Sequence, residues 1–295
     1  ESFTDDSYIA ADSTDETRLQ VWVNRPRQYL EILLEVDAER MQIRLDTQLD
    51  IEVPESRRCD MAACVCVVNG SSNEGVFRYD IVEGRILYCM TRYYEACELT
   101  DSFLTEMYYK AGMTVDEFYG EFSRLADGSV SRDELLRELK EKKHQKWAAS
   151  EDYENTAESV FNMLALSTKM RGCKIKTFPR MKMYFIDFPS ADKTVGLMVR
   201  FDVEEQYIEI ASPFEVSVKP ETAEAFVQAA CEITDNLLAG GICFNYPDGS
   251  IFYRITDSFL DGSISSEVFY RILETCADIL RFCNRKFKKI NNGEC

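Results

Sequence analysis

Gly240-Gly241-Ile242-Cys243-Phe244-Asn245-Tyr246-Pro247-Asp248-Gly249-Ser250-Ile251-Phe252-Tyr253-Arg254 is the stretch that decides the fold. Apolar residues run through 242–244 and 251–255 on either side of a turn sequence ending in glycine, the pattern of an antiparallel β-hairpin. Gly249 suits the left-handed backbone of such a turn, because it has no Cβ to clash. Downstream, Ser265 stands as an N-cap, and Val268, Ile272, Leu273, Cys276, Ile279, Leu280 and Cys283 recur on one side of a long helix. Upstream, Pro220 suits a first helical turn, followed by Ala225, Phe226, Ala229, Ala230 and Ile233 at helical spacing. Short apolar runs at 197–201 and 207–210 around a polar turn predict an earlier hairpin, and 214–218 alternates as a further strand.

The same order occurs earlier in the chain. Shifted by 165 positions, residues 32–122 align with 197–287 without a gap, with 11 identities in 91. The shared residues include Gly84 with Gly249, Tyr88 with Tyr253, Cys66 with Cys231 and Thr91 with Thr256. Strands are expected at 30–36, 41–45 and 49–53, a helix around Met61, Ala62, Val65 and Val68, a hairpin at 77–80 and 86–90, and a final helix capped by Thr100. That last helix is expected to break at Gly112, because Thr114-Val115-Asp116-Glu117 reads as a fresh capping box. Between the repeats, Ser131 opens a helix dense in mixed charge over 134–146, an amphipathic helix covers 152–169, and a strand covers 181–188. The expected organisation is a first repeat at 1–128 with an irregular acidic start, a charged helical linker at 129–150, and a second repeat at 151–295.

The run from Gly240 to Arg254, with a looser copy at 75–92, resembles the YbjN-like family of bacterial sensory transduction regulators, whose fold is similar to type III secretion chaperones. Asn69 matches an asparagine that the family favours where its middle helix ends, and Thr234 departs from it. The resemblance covers about 90 residues in each half, by folding residues and not catalytic ones. It implies an α+β protein: two tandem copies of a small antiparallel sheet packed on helices, with a regulator or chaperone-like role.

Strand parity places Phe77, Tyr79, Ile86, Tyr88, Met90, Ile242, Phe244, Ile251, Tyr253 and Ile255 on the helix-facing side. The opposite face carries Arg85, Leu87, Cys89, Cys243, Phe252 and Arg254, less polar than a solvated face. That face either packs on the other repeat or receives a partner peptide.

Composition removes other functions. A formal charge of −18, from 34 Lys and Arg against 52 Asp and Glu, opposes nucleic acid and anionic membrane surfaces. The 11 scattered cysteines read as buried, reduced thiols in a cytoplasmic protein. His144 is the only histidine and lies in a charged run, so neither a histidine-based triad nor a multi-histidine metal site is expected. Cys59, Cys64 and Cys66 do not converge on one ion, and 257–268 lacks oxygen ligands at two calcium-loop positions. No P-loop is present, so no cofactor, metal or catalytic residue is assigned. The expected function is a non-enzymatic module binding a protein or peptide, basic or amphipathic in character. The alternative is a small-molecule or thiol-responsive sensor with a pocket between the repeats. A monomer with its repeats packed together is expected, with a dimer as the alternative.

Overall fold

The computed structural model describes residues 10–15, 17–24, 29–72, 74–94, 99–141, 151–190, 194–204, 206–245, 249–259 and 264–294. The first half opens as an antiparallel meander of β1 (Ala10–Asp15), β2 (Arg18–Asn24), β3 (Tyr29–Asp37) and β4 (Gln42–Gln48). Helix α1 (Arg58–Asn69) leads to the hairpin β5 (Val76–Asp80) and β6 (Arg85–Tyr93), and α2 (Asp101–Ala126) follows. Strand β6 pairs with β4, so the sheet order is β1-β2-β3-β4-β6-β5. After α3 (Arg132–Glu141) and α4 (Glu151–Met170), the plan repeats with β7 (Lys174–Phe178), β8 (Met183–Pro189), β9 (Thr194–Asp202) and β10 (Tyr207–Ser217). Then come α5 (Ala223–Asp235), β11 (Gly241–Asn245), β12 (Ser250–Ser258) and α6 (Ser266–Asn291). The second sheet has the equivalent order, β7-β8-β9-β10-β12-β11, and the α+β class is the one expected.

The spacing of 165 governs local geometry as well as element order. Helices α2 and α6 are each 26 residues long and start 165 apart, capped by Thr100 on the Phe103 N–H and by Ser265 on the Val268 N–H. Left-handed backbone recurs at Met41 and Gln206, and at Gly84 and Gly249, which close equivalent hairpins. Tyr88 Oη donates to the Glu74 carbonyl at 2.6 Å, and Tyr253 Oη to the Ala239 carbonyl at 2.7 Å. Gly75 and Gly240 let the backbone pass these hydroxyls, since a Cβ at either would stand 2.5 Å from the tyrosine oxygen. Asn69 grips the Phe77 backbone on both sides, with Oδ1 accepting its N–H at 2.6 Å and Nδ2 donating to its carbonyl at 2.8 Å. Thr234 performs half of that task, accepting the Ile242 N–H at 3.0 Å.

Helix-facing side chains form the core. Phe77 meets Phe118 and Phe122 edge-on at 5.7 and 5.2 Å, and Phe287 packs against Phe214 and Phe226 in the second half. Such aromatic pairs contribute beyond their buried area.

The structure departs from the sequence reading in four places. Helix α2 runs unbroken through Gly112; within it Thr114 Oγ1 donates to the Lys110 carbonyl at 2.9 Å and does not cap a new helix. Residues 49–53 are not a separate strand; in the second repeat their counterpart extends β10, with a register shift between Pro213 and Ser217. Strands β1, β2 and β7 go beyond the sequence expectation, and the start of the first repeat, expected to be irregular, forms sheet at 10–15 and 18–24. Helix α3 buries Leu135, Leu136 and Leu139 against the first repeat, while His144 lies outside the described residues.

Candidate functional site

The two repeats meet through their middle helices and second hairpins. Helix α1 lies between its own sheet and β11, and α5 lies between its own sheet and β5, so each hairpin is covered from outside by the other repeat. Equivalent residues meet on the axis of this arrangement: the Sγ atoms of Cys66 and Cys231 are 3.9 Å apart. Off the axis, Thr91 Oγ1 donates to the Leu238 carbonyl at 3.0 Å, and its counterpart Thr256 accepts the Gly75 N–H at 3.2 Å.

Of the residues singled out on the sheet face, Cys89, Cys243 and Arg254 are buried in this seam. Arg254 Nη1 donates to the Asn69 carbonyl at the end of α1, at 3.3 Å. Arg78 performs the matching task from β5, donating to the Asp235 carbonyl at 3.2 Å and to the Leu237 carbonyl at the end of α5. The two arginines are not at equivalent positions, since Arg78 corresponds to Cys243 and Arg254 to Cys89. Each repeat therefore places its arginine on the opposite strand of the hairpin, and a thiol fills the vacated position. Burial pushes the Cys89 thiol up to about 12, which keeps it protonated despite Arg78 nearby. Phe252 and Leu87 are half-buried, and Arg85 is exposed at the far end, bonded to Asp80 at 3.2 Å. The six do not form one open surface.

A buried charge cluster adjoins the seam. Arg92 contacts Glu74 at 2.7 Å and Glu106 at 3.1 Å, while Lys110 contacts the same two carboxylates at 2.5 and 3.0 Å. Burial works against the Glu74 charge, but Arg92 and Lys110 hold the carboxyl down at about 2. Asp257 occupies the position equivalent to Arg92, and burial pushes it up to about 8 although Arg92 favours its charged form. The cavity on the seam, lined by Gly75, Val76, Cys89, Thr91, Gly240, Arg254 and Thr256, measures about 10 Å³, room for one water. The bonds of Arg78, Arg254, Thr91 and Thr256 hold the repeats together, the charge cluster lies within the first repeat, and the cavity is too small for an organic ligand. No group of three or more His, Cys, Asp or Glu side chains among the described residues is placed to hold a metal ion.

Open surface of unusual character lies on the outer face of the second sheet, beyond the seam. Cross-strand register sets Lys176, Phe185, Met198 and Ala211 in one row, Phe178, Met183, Arg200 and Glu209 in the next, and Pro213 against Phe252. Phe185 is 43% exposed and meets Phe178 edge-on at 5.8 Å, with the Lys176 ammonium 5.1 Å from the Phe178 ring. A Cβ built on Gly196 would meet nothing within 4 Å, so space lies open above the middle of the face. The first sheet has Arg18 and Gln20 where the second has Met183 and Phe185. That face carries polar pairs, Arg18 with Glu35 at 2.8 Å, Arg44 with Asp46 at 2.6 Å and Gln20 with Glu31, beside the half-buried Trp22, Leu33 and Leu87.

The apolar pair Met183 and Phe185 therefore belongs to one repeat only, whereas Met198 and Phe252 have Leu33 and Leu87 as counterparts. The only forerunner of this apolar strip in the sequence reading was Phe252, at its seam end. The missed signal was a run of charge: from 159 to 186 the chain has six cations and no Asp or Glu. A second exposed apolar stripe, Met163, Leu166 and Met170, follows the solvent side of α4 on the other side of this sheet.

The chain matches no protein-family model, no curated protein and no solved structure. No helix among the described residues is long and apolar enough to cross a membrane.

Proposed function

We propose that the chain is a non-catalytic module that binds another protein, of the regulatory or secretion-chaperone-like kind implied by the YbjN-like resemblance of its hairpins, and that it works in the cytoplasm. The observation that carries this reading is the strip Phe178, Met183, Phe185, Met198, Pro213 and Phe252 on the outer face of the second sheet. The first sheet has Arg18 and Gln20, paired with Glu35 and Glu31, in place of Met183 and Phe185, so those two apolar residues are not a requirement of the fold. Contiguous exposed apolar residues edged with polar ones mark interaction surfaces, and flexible methionines let such a surface fit a partner. The nine described cysteines are free thiols, which agrees with a reducing compartment. The thiol-responsive alternative is disfavoured: Cys59 is exposed, but its bond to Glu224 raises its pKa and makes a poor nucleophile.

Site-specific photo-crosslinking in lysate of the source organism tests the reading. A crosslinker at Phe185 should give a discrete polypeptide adduct that one at the equivalent Gln20 does not. Adducts from Met170 alone would move the site to α4, and none from any of the three would remove the binding role.

A further inference from the structure

We infer that the outer face of the second sheet receives an acidic amphipathic helix from its partner. The inference rests on the reading of that face as a protein-binding surface, and adds the shape and charge of what binds there.

The shape follows from the fold. The outer side of β11 already carries a helix, α1, as the outer side of β5 carries α5. Beyond α1 the face continues across β12, β10, β9 and β8 to the edge strand β7. Neighbouring strands lie about 4.8 Å apart, so the three strands β10, β9 and β8 span about 10 Å, the diameter of one helix. A helix laid there would extend the layer that α1 begins. Its apolar side would meet Phe185, Met198 and Phe252, with the hollow over Gly196 beneath it. An extended strand added to β7 would leave this strip uncovered.

The charge follows from what rims the strip. Lys174 and Lys176 project from β7 on the same face, and Arg180 is exposed in the turn that follows. None of the three forms an ion pair among the described residues, whereas Arg171 pairs with Glu267 and Lys182 with Glu158 at 2.5 Å. Asp187, opposite Lys174, is the acid on β8 at this edge, and Arg200 is held by Glu209 at 2.6 Å. The rim is therefore positive on a protein of net charge −18. At about 0.15 M salt, charges more than roughly 8 Å away are screened, so a peptide on the strip responds to the lysines and not to the acidic remainder. An anionic bilayer is an extended plane that would face the acidic body as well, which disfavours a lipid surface as the occupant.

The test uses the full chain and three labelled model helices of about 18 residues that share one leucine face and carry Glu, Gln or Lys at the other positions. Fluorescence anisotropy should show the Glu helix binding roughly tenfold more tightly than the Gln helix and weakening as salt rises. Phe185→Ser and Lys174→Glu/Lys176→Glu should each weaken Glu-helix binding roughly tenfold with the circular dichroism spectrum unchanged, since all three side chains are exposed. A Gln or Lys helix that binds as tightly, with the same sensitivity to Phe185→Ser, would overturn the inference and leave the binding surface standing. If no helix binds in a Phe185-dependent way, the inference fails, and crosslinking from Phe185 decides separately whether the binding surface stands. Phosphatidylserine vesicles that bind the chain through Phe185 while no helix does would make the face a lipid surface and overturn both.

Discussion

The Sγ atoms of Cys66 and Cys231 stand 3.9 Å apart in the buried seam, and the two residues are the same position of the two repeats. A residue that touches its own counterpart lies on a two-fold axis, so the repeats are joined as the subunits of a symmetric dimer would be. Both positions are buried, with α1 and α5 in close contact, and added volume has nowhere to go. Cys66→Leu and Cys231→Leu should each destabilise the protein by about 1–3 kcal/mol in urea unfolding, as overpacked cores do. Because the residues touch, the double variant should depart from the sum of the two singles.

Thiol accessibility gives a second prediction. Of the nine described cysteines, eight are buried and Cys59 is exposed, with its thiol donating to Glu224 at 3.1 Å. In a Cys97→Ser/Cys295→Ser background, which removes the two cysteines outside the described residues, native alkylation should modify Cys59 alone, and slowly. Glu224→Gln should speed that reaction, because the carboxylate that holds the proton on sulfur is gone. Mass spectrometry after a timed iodoacetamide pulse reads both effects; rapid labelling of Cys66 or Cys89 would contradict the packing of the seam.

The element order was legible because its signals are local: the hairpin glycines at 84 and 249, the caps Thr100 and Ser265, and the helical spacing in α5 and α6. Strands β1, β2 and β7 were not, because they are short runs with polar residues on the face that meets solvent, β1 and β7 at the sheet edges and β2 beside one. The supposed cap at Thr114 shows the limit of motif reading, since the same hydroxyl that caps a new helix can instead back-bond within an existing one. In the sequence the sheet face is a mixture of arginine, cysteine and apolar residues. Its logic appears only when both repeats are seen together, because Arg78 and Arg254 do one task from different strands.

That exchange makes Arg254 a sensitive position. Its guanidinium is buried, reaches the Asn69 carbonyl, and lies 3.4 Å from Glu209, which Arg200 contacts from the other side. Arg254→Met should cost about 3–5 kcal/mol in urea unfolding, the usual penalty for removing one partner of a buried ion pair. Adding Glu209→Gln should recover part of that loss, since the carboxylate would otherwise stay buried with one cation instead of two. No recovery would show that the carbonyl contact to α1, and not the ion pair, carries the effect.

Asp257 sets the expected dependence of stability on pH. Its carboxyl titrates near 8 in the folded protein, raised by burial, against about 3.9 in an unfolded chain. At low pH the group is neutral in both states. As pH rises past about 4 the unfolded chain ionises and the folded one does not, so this contribution to stability declines until pH passes about 8. Glu74, held at about 2, acts in the opposite sense: its contribution is present above about pH 4 and lost as pH falls toward 2. Asp257→Asn removes the first effect and keeps the side-chain oxygen that accepts the Ser258 N–H at 2.9 Å. The variant should match the parent protein near pH 4 and exceed its urea midpoint at pH 8–9, with the gap widening between. Parallel midpoint curves for the two proteins from pH 5 to 9 would show that Arg92 already holds Asp257 ionised in the fold, and that the charge at the seam is balanced instead of suppressed.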